Sequence, residues 1–168
     1  VTERTKIVFV ANPNNPTGSY INAQEMVRLA KSLPSHVILA IDGAYAEYPD
    51  VPDYSDGSEL VVDYPNVICL RTFSKIFGLS ALRLGWAYGA PEIIDVLNRI
   101  RGPFNISTPA MEAGIAAISD VAFAAATRAF NNRELAKLES GLRALSLTVH
   151  PSIANFVLVQ FADAKQAK

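Results

Sequence analysis

Apolar positions along the chain change period several times, and each change marks an element. Lys6 to Ala11 (KIVFVA) is short, continuous and β-branched, the pattern of a strand buried on both faces. It runs into Asn12-Pro13-Asn14-Asn15-Pro16-Thr17-Gly18, a dense turn signal. Asn22 then stands where a helix cap belongs, because Met26, Val27, Leu29, Ala30 and Leu33 recur at helical spacing until Pro34 stops them. His36 to Asp42 and Asn66 to Arg71 read as a second and a third buried strand. Strand, helix and strand in this order predict parallel pairing with a right-handed crossover. Pro49 to Ser58, polar and twice interrupted by proline, reads as a surface loop.

Beyond the third strand, Thr72 to Leu79 leads into an apolar segment, Leu82 to Tyr88, that predicts a fourth. Pro91 opens a helix through about Ile100, a favourable place for proline. Helical patterns return from Thr108 to Ile118 and from Asp120 to about Leu145, and Leu147 to Val149 and Ala154 to Phe161 predict strands again. The expected fold class is α/β, with a mainly parallel sheet sandwiched by helices. A boundary near Ser119 is expected. Residues 1–118 then form part of one domain, and 119–168 a linking helix and the start of a smaller α/β domain.

With half of the 168 residues hydrophobic and 18% charged, the chain has the composition of a folded protein. Fifteen basic and sixteen acidic residues leave a net charge of −1, and no basic run offers a footprint for nucleic acid or an anionic membrane. The longest apolar stretches, such as Val37 to Ile41, are too short to cross a bilayer, and the start does not resemble a signal peptide. These features predict a soluble cytoplasmic protein. One cysteine, Cys69, gives neither an internal disulfide nor a cysteine-based zinc site, and no metal is expected. Cys69 and Trp86 read as core residues, and His36 and His150 as exposed or hydrogen-bonded ones.

Candidate chemistry gathers where strands end. Lys75, in Thr72-Phe73-Ser74-Lys75-Ile76-Phe77-Gly78-Leu79, is hemmed by apolar neighbours. Desolvation there would favour the neutral, nucleophilic amine. Thr72 and Ser74 add hydroxyls, and Arg83 a charged fork suited to phosphate. By itself the segment also reads as an exposed lysine in a turn. Asp42 ends the second strand, where ligands of parallel sheets bind, although alone it also reads as a cap. Asn15 follows the first strand and alone means only a turn. Together the three places supply an amine, a carboxylate, an amide, the phenol of Tyr45, two hydroxyls and a guanidinium. That set suits an aromatic phosphorylated aldehyde.

The segments NPNNPTG, IDGAYAEY and TFSKIFGLSALRLGW resemble those of fold-type I pyridoxal-phosphate aminotransferases, especially the histidinol-phosphate aminotransferase group. GPFNISTPA, from Gly102 to Ala110, is similar to that group as well. The resemblance implies the large domain of such enzymes, pyridoxal 5'-phosphate as coenzyme, and Lys75 as the residue forming the internal aldimine. By position, Asp42 would pair with the pyridine nitrogen, and Asn15 and Tyr45 would bond the ring oxygen. Thr72, Ser74 and Arg83 would hold the phosphate. It further implies transamination between an amino donor, histidinol phosphate, and 2-oxoglutarate in histidine biosynthesis, by a homodimer. Arg101 and Asn105 are weaker candidates, as residues reaching the neighbouring subunit's site.

The same coenzyme motifs occur in aromatic aminotransferases and in threonine-phosphate decarboxylases. Outside catalysis, coenzyme-sensing regulators carry an aminotransferase-like domain. The family's Gly-rich phosphate segment and ring-stacking aromatic belong upstream of Lys6, and its substrate-carboxylate arginine downstream of Phe161. The chain is therefore expected to be a piece of a protein roughly twice its length, inactive or poorly stable alone because normally covered surfaces stand open. Borohydride reduction of the full-length protein with pyridoxal phosphate should label the peptide containing Lys75. Mass-spectrometric mapping of the label to a different lysine would exclude this assignment.

Overall fold

Asn22 and Glu25 start the first helix by exchanging bonds: Asn22 Oδ1 accepts from Glu25 N–H (2.9 Å), and Glu25 Oε2 accepts from Asn22 N–H (3.0 Å). This capping box satisfies two of the helix's orphan donors. The helix, α1 (Ala23–Ser32), lies between strands β1 (Ile7–Ala11) and β2 (Ile38–Asp42). A short helix α2 (Leu60–Asp63) precedes β3 (Val67–Thr72), and β4 (Gly85–Gly89) follows. Helices α3 (Pro91–Ile100), α4 (Thr108–Ser119) and α5 (Val121–Ala144) lead to β5 (Thr148–His150) and β6 (Leu158–Gln160). This computed structural model describes residues 1–167.

The main sheet has the order β1-β2-β3-β4, parallel except for the antiparallel β3–β4 pair, and β5 and β6 form a separate antiparallel pair. An α/β fold with a mainly parallel sheet flanked by helices is therefore present. Met26 and Ala30 from α1, Leu33 just after it, and Leu60 and Val61 from α2, pack on Val37, Leu39, Ile41, Val67 and Cys69. Burial pushes the Cys69 thiol up to about 11, so it behaves as a small apolar group. Among the described residues no single helix is long and apolar enough to cross a membrane, and no cluster could hold a metal ion.

Five expectations need correction. β1 is not buried on both faces: Val8 and Val10 join the core, while Ile7 and Phe9 are 47% and 69% exposed. Only the face bearing Val8 and Val10 packs against the α1 side of the sheet. The fourth strand begins at Gly85, not Leu82, because Ser80–Leu82 is a 3-10 turn and Arg83 sits in the left-handed region at φ 52°. Regular pairing of the last strand begins at Leu158 rather than Ala154, since Ala154 and Phe156 are engaged in tertiary packing. Trp86 is 37% exposed, with the Arg71 guanidinium 5.8 Å from its ring centroid, and so is only partly a core residue.

Nor is Pro49 to Ser58 a simple surface loop; it folds back on the sheet. Fully buried Asn12 donates to Ser55 O and Ile21 O (both 3.2 Å) and accepts from Ile21 N–H (3.0 Å). Tyr54 donates from its hydroxyl to Asn12 O (2.9 Å). Arg71 bridges two acids, Glu47 (3.0 Å) and Asp56, and Arg128 Nε of α5 donates to Glu47 O (2.6 Å). Burial raises the Glu47 carboxyl above the usual glutamate range despite Arg71, and its Oε2 is buried without a partner among the described residues. Burial acts the same way on Asp56, but bonds from Ser58 and the Arg71 charge outweigh it and hold that carboxyl low.

Two measurements probe this arrangement. Replacing Asn12 by alanine strands buried polar groups and should cost about 3 kcal/mol in denaturant unfolding. A carboxyl whose folded pKa is raised binds its proton more tightly in the folded state, so its contribution to stability falls as pH rises above the ordinary 4.5. Glu47→Gln should remove that component, making the variant's stability fall less steeply than wild type's between pH 4.5 and its raised folded value. Parallel pH profiles for the two proteins would contradict it.

Candidate active site

Parallel register places the ends of three strands together: Asp42 pairs with Ala11 on one side and Leu70 on the other. The chain leaves each end through a tight turn. After β1, Gly18 N–H donates to Asn14 O and Asn14 N–H to Ser19 O, both at 2.8 Å. Gly18 has φ 72°, and a Cβ there would fall 2.2 Å from Ser152 Oγ, so only glycine fits. This turn presents exposed Asn15, whose Nδ2 donates to the Tyr45 hydroxyl at 2.9 Å.

After β2, Gly43 N–H donates to Leu70 O (2.9 Å), and Asp42 Oδ1 accepts from Ala44 N–H (3.0 Å). Asp42 is thus a local cap and an exposed carboxylate at once. Its Oδ2 has no hydrogen-bond partner among the described residues. Tyr45 is only 6% exposed. A Cβ at Gly43 would meet Arg71 Cδ and Nε at 3.1 Å, so the missing side chain makes room for the Arg71 bridge.

After β3, Thr72 Oγ1 accepts from Ser74 N–H (3.0 Å), and Leu79 N–H returns to Phe73 O (2.9 Å). Buried Phe73 and Ile76 anchor the loop, and half-buried Lys75 between them places Nζ 5.1 Å from the Tyr45 ring centroid. Lys75, Tyr45 and Asn15 therefore form one contiguous group. Arg83 stands apart, exposed and donating to Ser80 O (2.6 Å). Arg101 bonds Asn98 and Asn105 (both 2.9 Å) beside a cavity lined by Arg71 and Trp86, a lining that includes neither Lys75 nor Asp42.

Sequence reasoning missed Arg71, Glu47 and Asp56, whose ion pairs join the end of β3 to the loop after β2 that carries Tyr45 and to the 49–58 loop. It also missed Phe156, whose ring meets Tyr45 at 5.1 Å and 80°. Arg71 directly precedes Thr72 at the end of a strand, a signal that could have marked it. Phe156 carried none.

Pyridoxal phosphate fits this donor set. The Tyr45 oxygen accepts from Asn15, so its own proton remains free to donate outward. Lys75 has no acidic ion-pair partner within the described residues, which leaves its amine uncommitted. Asp42 retains one carboxylate oxygen for a cationic ring nitrogen.

Known proteins resemble the chain over almost its whole length. The profile of the family described as Aminotransferase class I and II matches residues 1–168. A histidinol-phosphate aminotransferase of Rhodospirillum centenum is 54% identical over 162 residues, covering 96% of this chain and 45% of the relative. The crystal structure of histidinol-phosphate aminotransferase from Sinorhizobium meliloti in complex with pyridoxal-5'-phosphate matches with a TM-score of 0.88 at 32% identity, over 94% of this chain and 43% of that one. The L-threonine-O-3-phosphate decarboxylase of Porphyromonas gingivalis, 21% identical over 96% of this chain and 49% of its own, has a TM-score of 0.82 and shares the fold alone. The chain spans about half the length of the relatives it matches, or less. It belongs to the class I and II aminotransferases, of fold type I, and among them it resembles the histidinol-phosphate aminotransferases.

Proposed function

We propose that this chain supplies the coenzyme-anchoring part of a pyridoxal-phosphate aminotransferase that uses histidinol phosphate and 2-oxoglutarate, in histidine biosynthesis. The observation that carries the reading is the Lys75–Tyr45–Asn15 group at the carboxyl edge of the sheet. The 54% identity to a histidinol-phosphate aminotransferase supports the choice of donor. Residues 1–118 would belong to the large domain and 119–168 to the link and the start of the small one, within a homodimer.

In this reading, Lys75 holds the coenzyme through its amine. The same amine, when free, would be placed to carry a proton from the substrate α-carbon to the coenzyme's aldehyde carbon. Asp42, as an anion, keeps the ring nitrogen protonated. Tyr45, steadied by Asn15, donates to the ring oxygen. Thr72, Ser74 and Arg83 would hold the phosphate, Arg83 giving up its bond to the Ser80 carbonyl. When bound, the coenzyme supplies an electron-withdrawing ring that spreads the charge left at the α-carbon. Two half-reactions on one coenzyme give ping-pong kinetics.

The full-length protein should transaminate histidinol phosphate with 2-oxoglutarate in preference to phenylalanine or threonine phosphate. Lys75→Ala should lower kcat by about 10²- to 10⁴-fold, the range expected when a positioned proton carrier is lost. Carbon dioxide release from threonine phosphate, without amino transfer, would assign the protein to the decarboxylases instead.

A further inference from the structure

We propose that Phe156 is a positioning residue for Tyr45 and, through it, for the ring oxygen of the coenzyme; this rests on the coenzyme reading above. Three groups from distant parts of the chain meet the Tyr45 side chain. Asn15 Nδ2 donates to its hydroxyl at 2.9 Å, and Lys75 Nζ lies 5.1 Å from its ring centroid. Phe156 is the third, with centroids 5.1 Å apart and ring planes at 80°. Such a perpendicular pair is favoured by the ring quadrupoles and restricts both rings.

The segment carrying Phe156 is itself held in place. Ala154 is fully buried with Tyr45, Tyr48 and Ile76, and its carbonyl accepts from Asn131 Nδ2 of α5 at 3.2 Å. Ile153 N–H donates to Gly18 O at 3.1 Å, and the Ser152 side chain occupies the space a Cβ on Gly18 would need. Residues 152–156 thus link the turn that carries Asn15 to the loop that carries Tyr45. Phe156 contributes no side-chain hydrogen bond, so its effect comes through ring contact.

The consequence is electrostatic. A phenol that accepts from Asn15 and is held at a fixed angle would keep its proton available to the ring oxygen of a bound coenzyme. Hydrogen bonding to the anionic form of that oxygen favours it and lowers the pH at which the chromophore titrates. Releasing the Tyr45 ring weakens the bond and raises that pH.

The test is a pH titration of the bound coenzyme's visible absorbance in the full-length holoprotein, with thermal unfolding of each variant alongside. Phe156→Leu and Phe156→Met each remove the ring while keeping an apolar side chain, so either one suffices if the other fails to pack. The midpoint should rise by about half to one pH unit in these variants, the shift that losing one aromatic pair allows. Phe156→Tyr, which keeps the ring, should titrate like wild type. A folded, coenzyme-bound leucine or methionine variant with the wild-type midpoint overturns the proposal, and so does an equal rise in Phe156→Tyr. If wild type itself takes no coenzyme on Lys75, the underlying functional reading fails instead, and that is seen before any variant is compared.

Discussion

In-register parallel pairing of β1, β2 and β3 is the constraint on which everything else depends. Parallel strands point their carboxyl ends the same way, so the turns after Ala11, Asp42 and Thr72 must emerge on one edge of the sheet. A slip of one residue in β2 would send Leu39 and Ile41 out of the core and turn Asp42 toward α1. The apolar packing under α1 and α2 therefore also fixes where the carboxylate stands. Core and site share one register.

Around that edge the molecule uses buried polar groups to hold loops that have little regular structure. Asn12 ties the turn after β1 to the loop near Ser55, and Arg71 ties that loop to the one after β2 through Glu47 and Asp56. Buried charges of this kind do little for net stability, because desolvation offsets most of the attraction. Their effect is orientation: Arg71, engaged by two acids, lies against Gly43, where a side chain would crowd it. Elsewhere several large apolar side chains stand open to solvent. Phe9, Phe104, Ile100, Val121 and Phe130 are all more than half exposed, and α5 buries no residue.

Much of the fold was legible from local pattern, and the errors share a cause. The capping box at Asn22, the proline start of α3 and the polar-to-apolar switches depend on residues a few positions apart, so a linear reading finds them. The edge exposure of Phe9 and the closed form of the Pro49–Ser58 loop depend on what does or does not lie beside them in space. Ala154 and Phe156 carried a strand-like apolar pattern, but Tyr45 and Tyr48 engage them before pairing begins. Burial alone looks the same in sequence whichever element buries the residue.

The candidate site divides along the same line. Lys75, Asp42, Asn15 and Tyr45 could be named from sequence because each follows a strand end within a short motif, and strand direction is a local property. Which of them touch was decided by the tertiary structure: Lys75, Tyr45 and Asn15 form one group, while Arg83 turns to its own loop carbonyl. The partners of Arg71 and the approach of Phe156 to Tyr45 join segments with no shared period or motif. Such contacts exist only once the core has closed, since chain connectivity leaves distant side chains independent until packing confines them.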